Sequence, residues 1–283
     1  MSMENVKEAF PAMPCPLPND FFKKVEERNK LPVDVLENRI IEAGNSRPGN
    51  LEGYDCPKCL NRGYIWVSDE HGRKTVDCSC LVIRQGIKRL HNSGFGDLIN
   101  RYTFDNWYCD FEWQYEALCL VQEFIRKKRG WLFAFGRPGT GKSHLCTATC
   151  VQLLHEGVDV RYIVWTDFAV KAKANVMDDE AYSRIVSPLK TVDVLYIDDF
   201  FKPPSFALYG DKMSNLPTKA DGKLAFEIIN SRYNDDRKIT LISSEWTISE
   251  LMDFDEGTGS RIYEKTKGFL LDFTGKPNWR IRH

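Results

Sequence analysis

Short apolar runs alternate with longer amphipathic stretches over the second half of the chain. Five runs carry the Val, Ile, Leu and aromatic density expected of strands covered on both faces: 131–135 (WLFAF), 160–165 (VRYIVW), 192–197 (VDVLYI), 238–243 (KITLIS) and 268–273 (GFLLDF). Helical patterns lie between them, over Lys142–Glu156 and around Ser260–Thr266. This alternation predicts an α/β fold, a mostly parallel sheet with helices on both faces. The chain ends ten residues after Phe273, which leaves no room for a helical lid domain downstream.

The first hundred residues read differently. A short helix is expected near Phe21–Arg28 and a second near Val33–Ala43, whose Val33, Leu36, Ile40 and Ile41 share a face. Residues 44–53 (GNSRPGNLEG) have the composition of a flexible joint. A cysteine module follows over about 54–82, in which YIWV and KTVDC can pair as a hairpin across DEHGR. Next comes a basic helical stretch with Arg84, Lys88 and Arg89 near one face and Gly94 able to end it. The division expected is a helical appendage over 1–50, the cysteine module with its basic helix over 51–98, and a large α/β domain over 99–283.

Charge and hydrophobicity work by exclusion. With 39 basic and 40 acidic residues the net charge is −1, so any grip on a nucleic-acid backbone must come from a local patch. A hydrophobic fraction of 42% excludes a wholly disordered chain. No window approaches a membrane span and MSMENVKEAF is not a secretion signal, which predicts a cytoplasmic protein. In that reducing setting nine cysteines do not make a disulfide framework, and close pairs read as metal ligands. Cys109, Cys119, Cys146 and Cys150 read as small core side chains.

The sharpest chemical signal is GRPGTGKSH at 136–144, a G-x-x-x-x-G-K-S loop between an apolar strand and a helix. Gly136, Gly139 and Gly141 allow the backbone to wrap a phosphate with its N–H groups, at the positive end of the helix. Pro138, Thr140 and His144 complete the loop. Lys142 supplies a point charge to the outer phosphates of ATP, and Ser143 offers its hydroxyl to Mg²⁺. The acidic strand end VLYIDD brings Asp198 to the magnesium shell and Asp199 to the place of an attacking water, which it can orient or deprotonate; the alternative is that Asp199 caps a turn. Ser243 or Ser244, at the end of LISSEW, can hydrogen-bond the terminal phosphate, whereas an ionised Glu245 would repel it. Two arginines, Arg232 and Arg261, can supply a further cation, in a neighbouring protomer's site if the protein forms a ring or spiral. Residues 201–223 read as a loop that contacts DNA or a neighbour, with Lys202, Lys212, Lys219 and Lys223 as candidate contacts to phosphates; a solvated loop is the equal alternative.

Cys56, Cys59, Cys78 and Cys80 follow C-x2-C-x18-C-x-C, the count and approximate spacing for one tetrahedral Zn²⁺. His71 is an alternative ligand. Gly63 permits the tight reversal after the first pair. Four protein ligands leave no position for water, so the zinc is expected to be structural and to supply much of the module's folding energy.

The loop, YIDD, IINSRY and the missing lid together resemble the DnaC/DnaI-type replicative helicase loaders, a group that includes the transposition ATPase IstB. CPKCLNRGYI, CSC, LHNSGF and RYTFDNW extend the likeness to versions carried by low-GC Gram-positive bacteria and their phages. The resemblance implies an AAA+ fold with sheet order 5-1-4-3-2 and ATP held through Lys142, Ser143 and Asp198. It also implies single-stranded DNA contacted by a spiral of protomers, and an N-terminal module that docks on a replicative hexameric helicase. It favours Arg261 over Arg232 as the arginine finger and places Tyr102 and Phe104 near the adenine. Glu245 departs from the asparagine found in many relatives, which moves the sensing role to Ser244 and puts fast turnover in question. Two competing functions stand beside a loader: a transposition regulator on duplex DNA, and a nucleotide-gated adaptor or inhibitor that hydrolyses ATP weakly.

Overall fold

The structure is a computed structural model and describes residues 33–91, 96–202 and 217–281. The helix expected near Phe21–Arg28, together with Gly94 and Lys212, lies outside the described residues. The chain divides into two compact units between Cys78 and Ser79.

In the first unit a helix, α1 (Val33–Asn45), accompanies an antiparallel hairpin of β1 (Tyr64–Asp69) and β2 (Gly72–Asp77). The residues expected to form a flexible joint are tied down instead. Asn45 exchanges two hydrogen bonds with the backbone of Trp66, at 2.9 and 3.0 Å. Arg62 donates to the carbonyls of Gly44 and Arg47 and to Asn45 Oδ1. Gly49 N–H donates to Leu60 O at 2.6 Å. The polar backbone of this Gly- and Asn-rich stretch finds its partners on the hairpin and on the turn before it, so turn-forming composition here gives order.

The second unit holds α2 (Cys80–Leu90), α3 (Gly96–Arg101), α4 (Glu112–Lys127), β3 (Trp131–Gly136), α5 (Lys142–His155), β4 (Val160–Val164) and α6 (Trp165–Ala174). It continues through α7 (Asp179–Thr191), β5 (Val194–Phe200), α8 (Lys219–Tyr233), β6 (Ile239–Ser244), α9 (Ile248–Phe254), α10 (Glu256–Lys265) and β7 (Leu270–Phe273). The sheet order is β4-β5-β6-β3-β7 and every neighbouring pair is parallel. Counted from the loop strand β3 as first, this is the expected 5-1-4-3-2. Trp131, Leu132, Phe133 and Ala134 are all buried, because helices cover both faces of this central strand.

Two local expectations need correction. Residues 219–223 are not loop but the first turn of α8, which Thr218 caps in a reciprocal box with Asp221. Cys146 and Cys150 are core side chains as expected, but Cys109 and Cys119 are exposed. α4 buries Ala117, Val121, Phe124 and Ile125, a face that Cys119 is not on. The basic helix α2 lies on the α/β body, with Gly86 against Leu154 and Arg89 paired with Asp159.

Candidate nucleotide site and cysteine cluster

The loop between β3 and α5 takes the shape its glycines permit. Gly136, Gly139 and Gly141 have φ of 121°, 74° and 101°, where an L side chain would be strained. Space is closed as well, since a Cβ on Gly141 would lie 2.6 Å from the Trp107 ring. Lys142 is buried and its Nζ donates to the carbonyls of Gly136 and Arg137, both at 2.8 Å. Burial lowers its pKa, and the nearby Glu245, Asp199 and Asp198 push the other way. Thr140 Oγ1 donates to Arg137 O at 2.9 Å and stiffens the turn.

Register brings the acidic strand end to this loop. Asp198 ends the paired stretch of β5 opposite Val164, and its Oδ1 accepts from Ser143 Oγ at 3.0 Å and from Ser243 Oγ. Tyr162 OH donates to Oδ2 at 3.2 Å. Ser143 and Asp198, the two expected magnesium ligands, are therefore already in contact. A bulge follows, with Asp199 in the left-handed region at φ 52°. Its N–H donates to Ser243 Oγ at 3.1 Å, and its carboxylate pairs with Lys202 at 3.0 Å. Burial and the Asp198 charge raise the pKa of Asp199 against that cation.

The two serines at the end of β6 divide the work differently from the expectation. Ser244 does not line the cavity: its Oγ donates to Phe200 O at 2.7 Å and accepts from Trp246 N–H at 3.0 Å, fully buried. Strand alternation sends Ser243 to the Asp198 side and Ser244 away from it. Arg232 is not an arginine finger either. Its guanidinium is fully buried and donates to Thr240 Oγ1 and to the carbonyls of Leu189, Val192, Asp193 and Ile239, so it cannot reach into a neighbour. Arg261 is half-buried, donates to Asn230 Oδ1 and Gly257 O, and lies over the rings of Phe226 and Tyr233.

A cavity of about 600 Å³ opens beside the loop. Arg101, Lys142, Asp199, Lys202, Glu245 and Arg280 line it with charge beside the Ser143 hydroxyl, and Tyr102, Trp107, Tyr108 and Trp279 supply rings. Tyr102 stacks on His144, with 5.0 Å between centroids, and His144 Nε2 lies 2.7 Å from Thr103 O. Burial lowers the His144 pKa, which favours a neutral ring donating to that carbonyl. Phe104 is not in the wall. Trp107, Lys202 and the C-terminal segment are wall residues that sequence reasoning did not place here. Trp279 N–H donates to Gly139 O at 2.8 Å, and Asn278 packs against Gly139. No spacing rule relates 278–279 to a loop some 140 residues earlier, so only the folded chain reveals their meeting.

The donor set suits magnesium–ATP. Three positive-φ glycines form a cradle that side chains would fill, and a buried ammonium, a hydroxyl and a carboxylate converge beside it.

The four cysteines also meet. Their sulfurs lie within 4.8 Å of one another, all buried, and Cys56 and Cys78 Sγ are 3.8 Å apart. Tetrahedral zinc at about 2.3 Å from each thiolate requires sulfur separations of about 3.8 Å. Leu60, Asn61 and Gly63 have positive φ, and Gly63 N–H donates to Cys59 Sγ at 3.3 Å. Asn61 Oδ1 accepts from Cys56 N–H at 2.9 Å. His71 sits exposed on the hairpin turn, outside the cluster. The cluster fits a zinc module.

Residues 116–254 match the family model described as IstB-like ATP binding protein. This stretch is similar to the IstB-like ATP-binding family. The phage-like element PBSX protein XkdC of Bacillus subtilis (strain 168) is 28% identical over 85% of this chain and 88% of its own length. The replicative helicase loader DnaC of Escherichia coli (strain K12) is 29% identical over 40% of this chain, a stretch that spans 47% of that loader. The crystal structure of the DnaC helicase loader superposes with a TM-score of 0.48 and 21% identity, over 62% of this chain and 97% of that one. The matched stretch 116–254 contains the loop, the acidic strand end of β5 and both serines of β6. Among the described residues no helix is long and apolar enough to cross a membrane.

Proposed function

We propose that the chain is a cytoplasmic, ATP-controlled loader of a replicative hexameric DNA helicase. It acts on single-stranded DNA and self-associates into a ring or spiral. The observation that carries the reading is the meeting of Lys142, Ser143 and Asp198 at one end of a ring-lined cavity, within a stretch similar to the IstB-like ATP-binding family. Likeness to a protein named as a replicative helicase loader supplies the partner class. Lys142 would bind the outer phosphates, Ser143 and Asp198 would hold Mg²⁺, and Tyr102 with Trp107 would face the base. Bound magnesium–ATP supplies the phosphoanhydride whose loss separates two binding states. Asp199 would orient water or accept its proton at the carboxylate that Lys202 now pairs. Arg261, off the wall of its own chain's cavity, is the arginine left to act in trans. The zinc module would present the helicase-docking surface.

The test is co-elution of the purified, metal-loaded chain with its replicative helicase under ATP, ADP and no nucleotide, with Lys142→Ala as the control. ATP-dependent association that Lys142→Ala abolishes is expected. Lack of association in every state rejects the loader reading, and salt-resistant coating of duplex over single-stranded DNA would favour a transposition regulator. The Lys202–Asp199 pair favours a second reading, an adaptor that binds ATP and rarely hydrolyses it. Turnover per protomer with DNA and helicase decides between the two, and an Asp199→Asn rate equal to the parent's removes that residue as base.

A further inference from the structure

We infer that Lys202 recognises the terminal phosphate of the nucleotide in its own protomer, so that the site distinguishes triphosphate from diphosphate; this rests on the nucleotide reading above. Lys202 follows the bulge of β5, and its Nζ lies 3.0 Å from Asp199 Oδ2 and 3.4 Å from Glu245 Oε1. Its side chain is about one-third exposed and lines the same cavity as Lys142 and Ser143.

Charge gives this cation its place, since it pairs with both carboxylates of the cavity wall. Asp199 and Glu245 line the cavity and Asp198 stands behind Ser143, so three carboxylates surround the place where an outer phosphate would be held. Lys142, Arg101 and Arg280 also line the cavity, but Lys202 is the wall cation paired with Asp199 and Glu245. A terminal phosphate meeting Asp199 and Glu245 without compensation would be repelled. Lys202 neutralises both carboxylates, and on a flexible four-carbon stem it can exchange them for phosphate oxygens. Burial alone would lower its pKa, but Asp199 and Glu245 outweigh that and raise it, so it stays a cation. Glu245 then has a role: it holds the lysine in the cavity.

The experiment measures ATP and ADP affinity by calorimetry on the full, metal-loaded chain, for the parent, Lys202→Met and Lys202→Arg. Methionine cannot donate a charge-assisted hydrogen bond, so Lys202→Met should weaken ATP about tenfold or more and leave ADP within about twofold. Arginine should restore most of the ATP preference. The inference is overturned if Lys202→Met keeps the parent's ATP-to-ADP ratio, including the case in which turnover rises because Asp199 has merely been released. It is also overturned if ATP and ADP affinities fall equally, or if the parent binds both nucleotides alike. A parent that binds neither nucleotide, though metal-loaded and folded, instead rejects the underlying nucleotide reading.

Discussion

Replacing Arg232 separates a structural clamp from an arginine finger. The guanidinium donates five hydrogen bonds of 2.6 to 3.2 Å, to the end of α7, the lead-in to β5 and the start of β6. Burial lowers its pKa to about 10, so it remains charged at neutral pH. Each bond from a charged donor is worth about 1.5–3 kcal/mol, but the sum overstates the loss because burying the charge itself costs several kcal/mol. Breaking a comparable buried network costs about 3–5 kcal/mol, so Arg232→Met should lose about 4 kcal/mol. For a domain of about 200 residues that is a fall in Tm of roughly 8–16 °C. Arg232→Lys keeps the charge without the planar five-donor fork and should lose about half as much. Urea unfolding at pH 7, followed by two probes to check two-state behaviour, reads the difference. A loss under about 1 kcal/mol, accompanied by a collapse of turnover in the assembled protein, would refute the clamp and return Arg232 to the catalytic set.

Two further outcomes follow from individual interactions. Removing zinc with a chelator, or Cys59→Ser, should unfold the hairpin unit, since a module this small draws about 10 kcal/mol from its metal; elemental analysis should find one zinc per chain, and retained hairpin structure without metal would contradict the assignment. Asp221 caps α8 and pairs with Lys173 at 2.7 Å; burial pushes its pKa up, but the bonds from Lys173 and Thr218 outweigh this and hold it below the ordinary value. Its stabilisation is therefore present above the unfolded value of 3.8 and lost as pH falls through the lower folded value. Asp221→Asn should cost about 1 kcal/mol at pH 7 and converge on the parent in acid, which stability measured from pH 7 downward will check.

Chemistry carried by contiguous residues was legible in the sequence. The loop at 136–144, the Asp198–Asp199 strand end and the cysteine spacing each encode their conformation in a short window, through glycine φ, strand burial and chelate geometry. The strand order was legible only through resemblance, because no local pattern says which parallel strands are neighbours. The wall residues Trp107 and Trp279 escaped for the same reason, since each reaches the loop from a segment remote in the chain.

An α/β nucleotide-binding body preceded by a four-thiolate module is thus encoded locally, because period and spacing act within one element. Tertiary structure alone decided that Arg232 is a buried clamp, that Ser243 rather than Ser244 meets Asp198, and that Lys202 stands between Asp199 and Glu245. Those outcomes depend on how separate strands are registered, and a shift of one residue turns a side chain to the opposite face of the sheet. A polar side chain's partners, and with them its role, are set by the neighbouring strand.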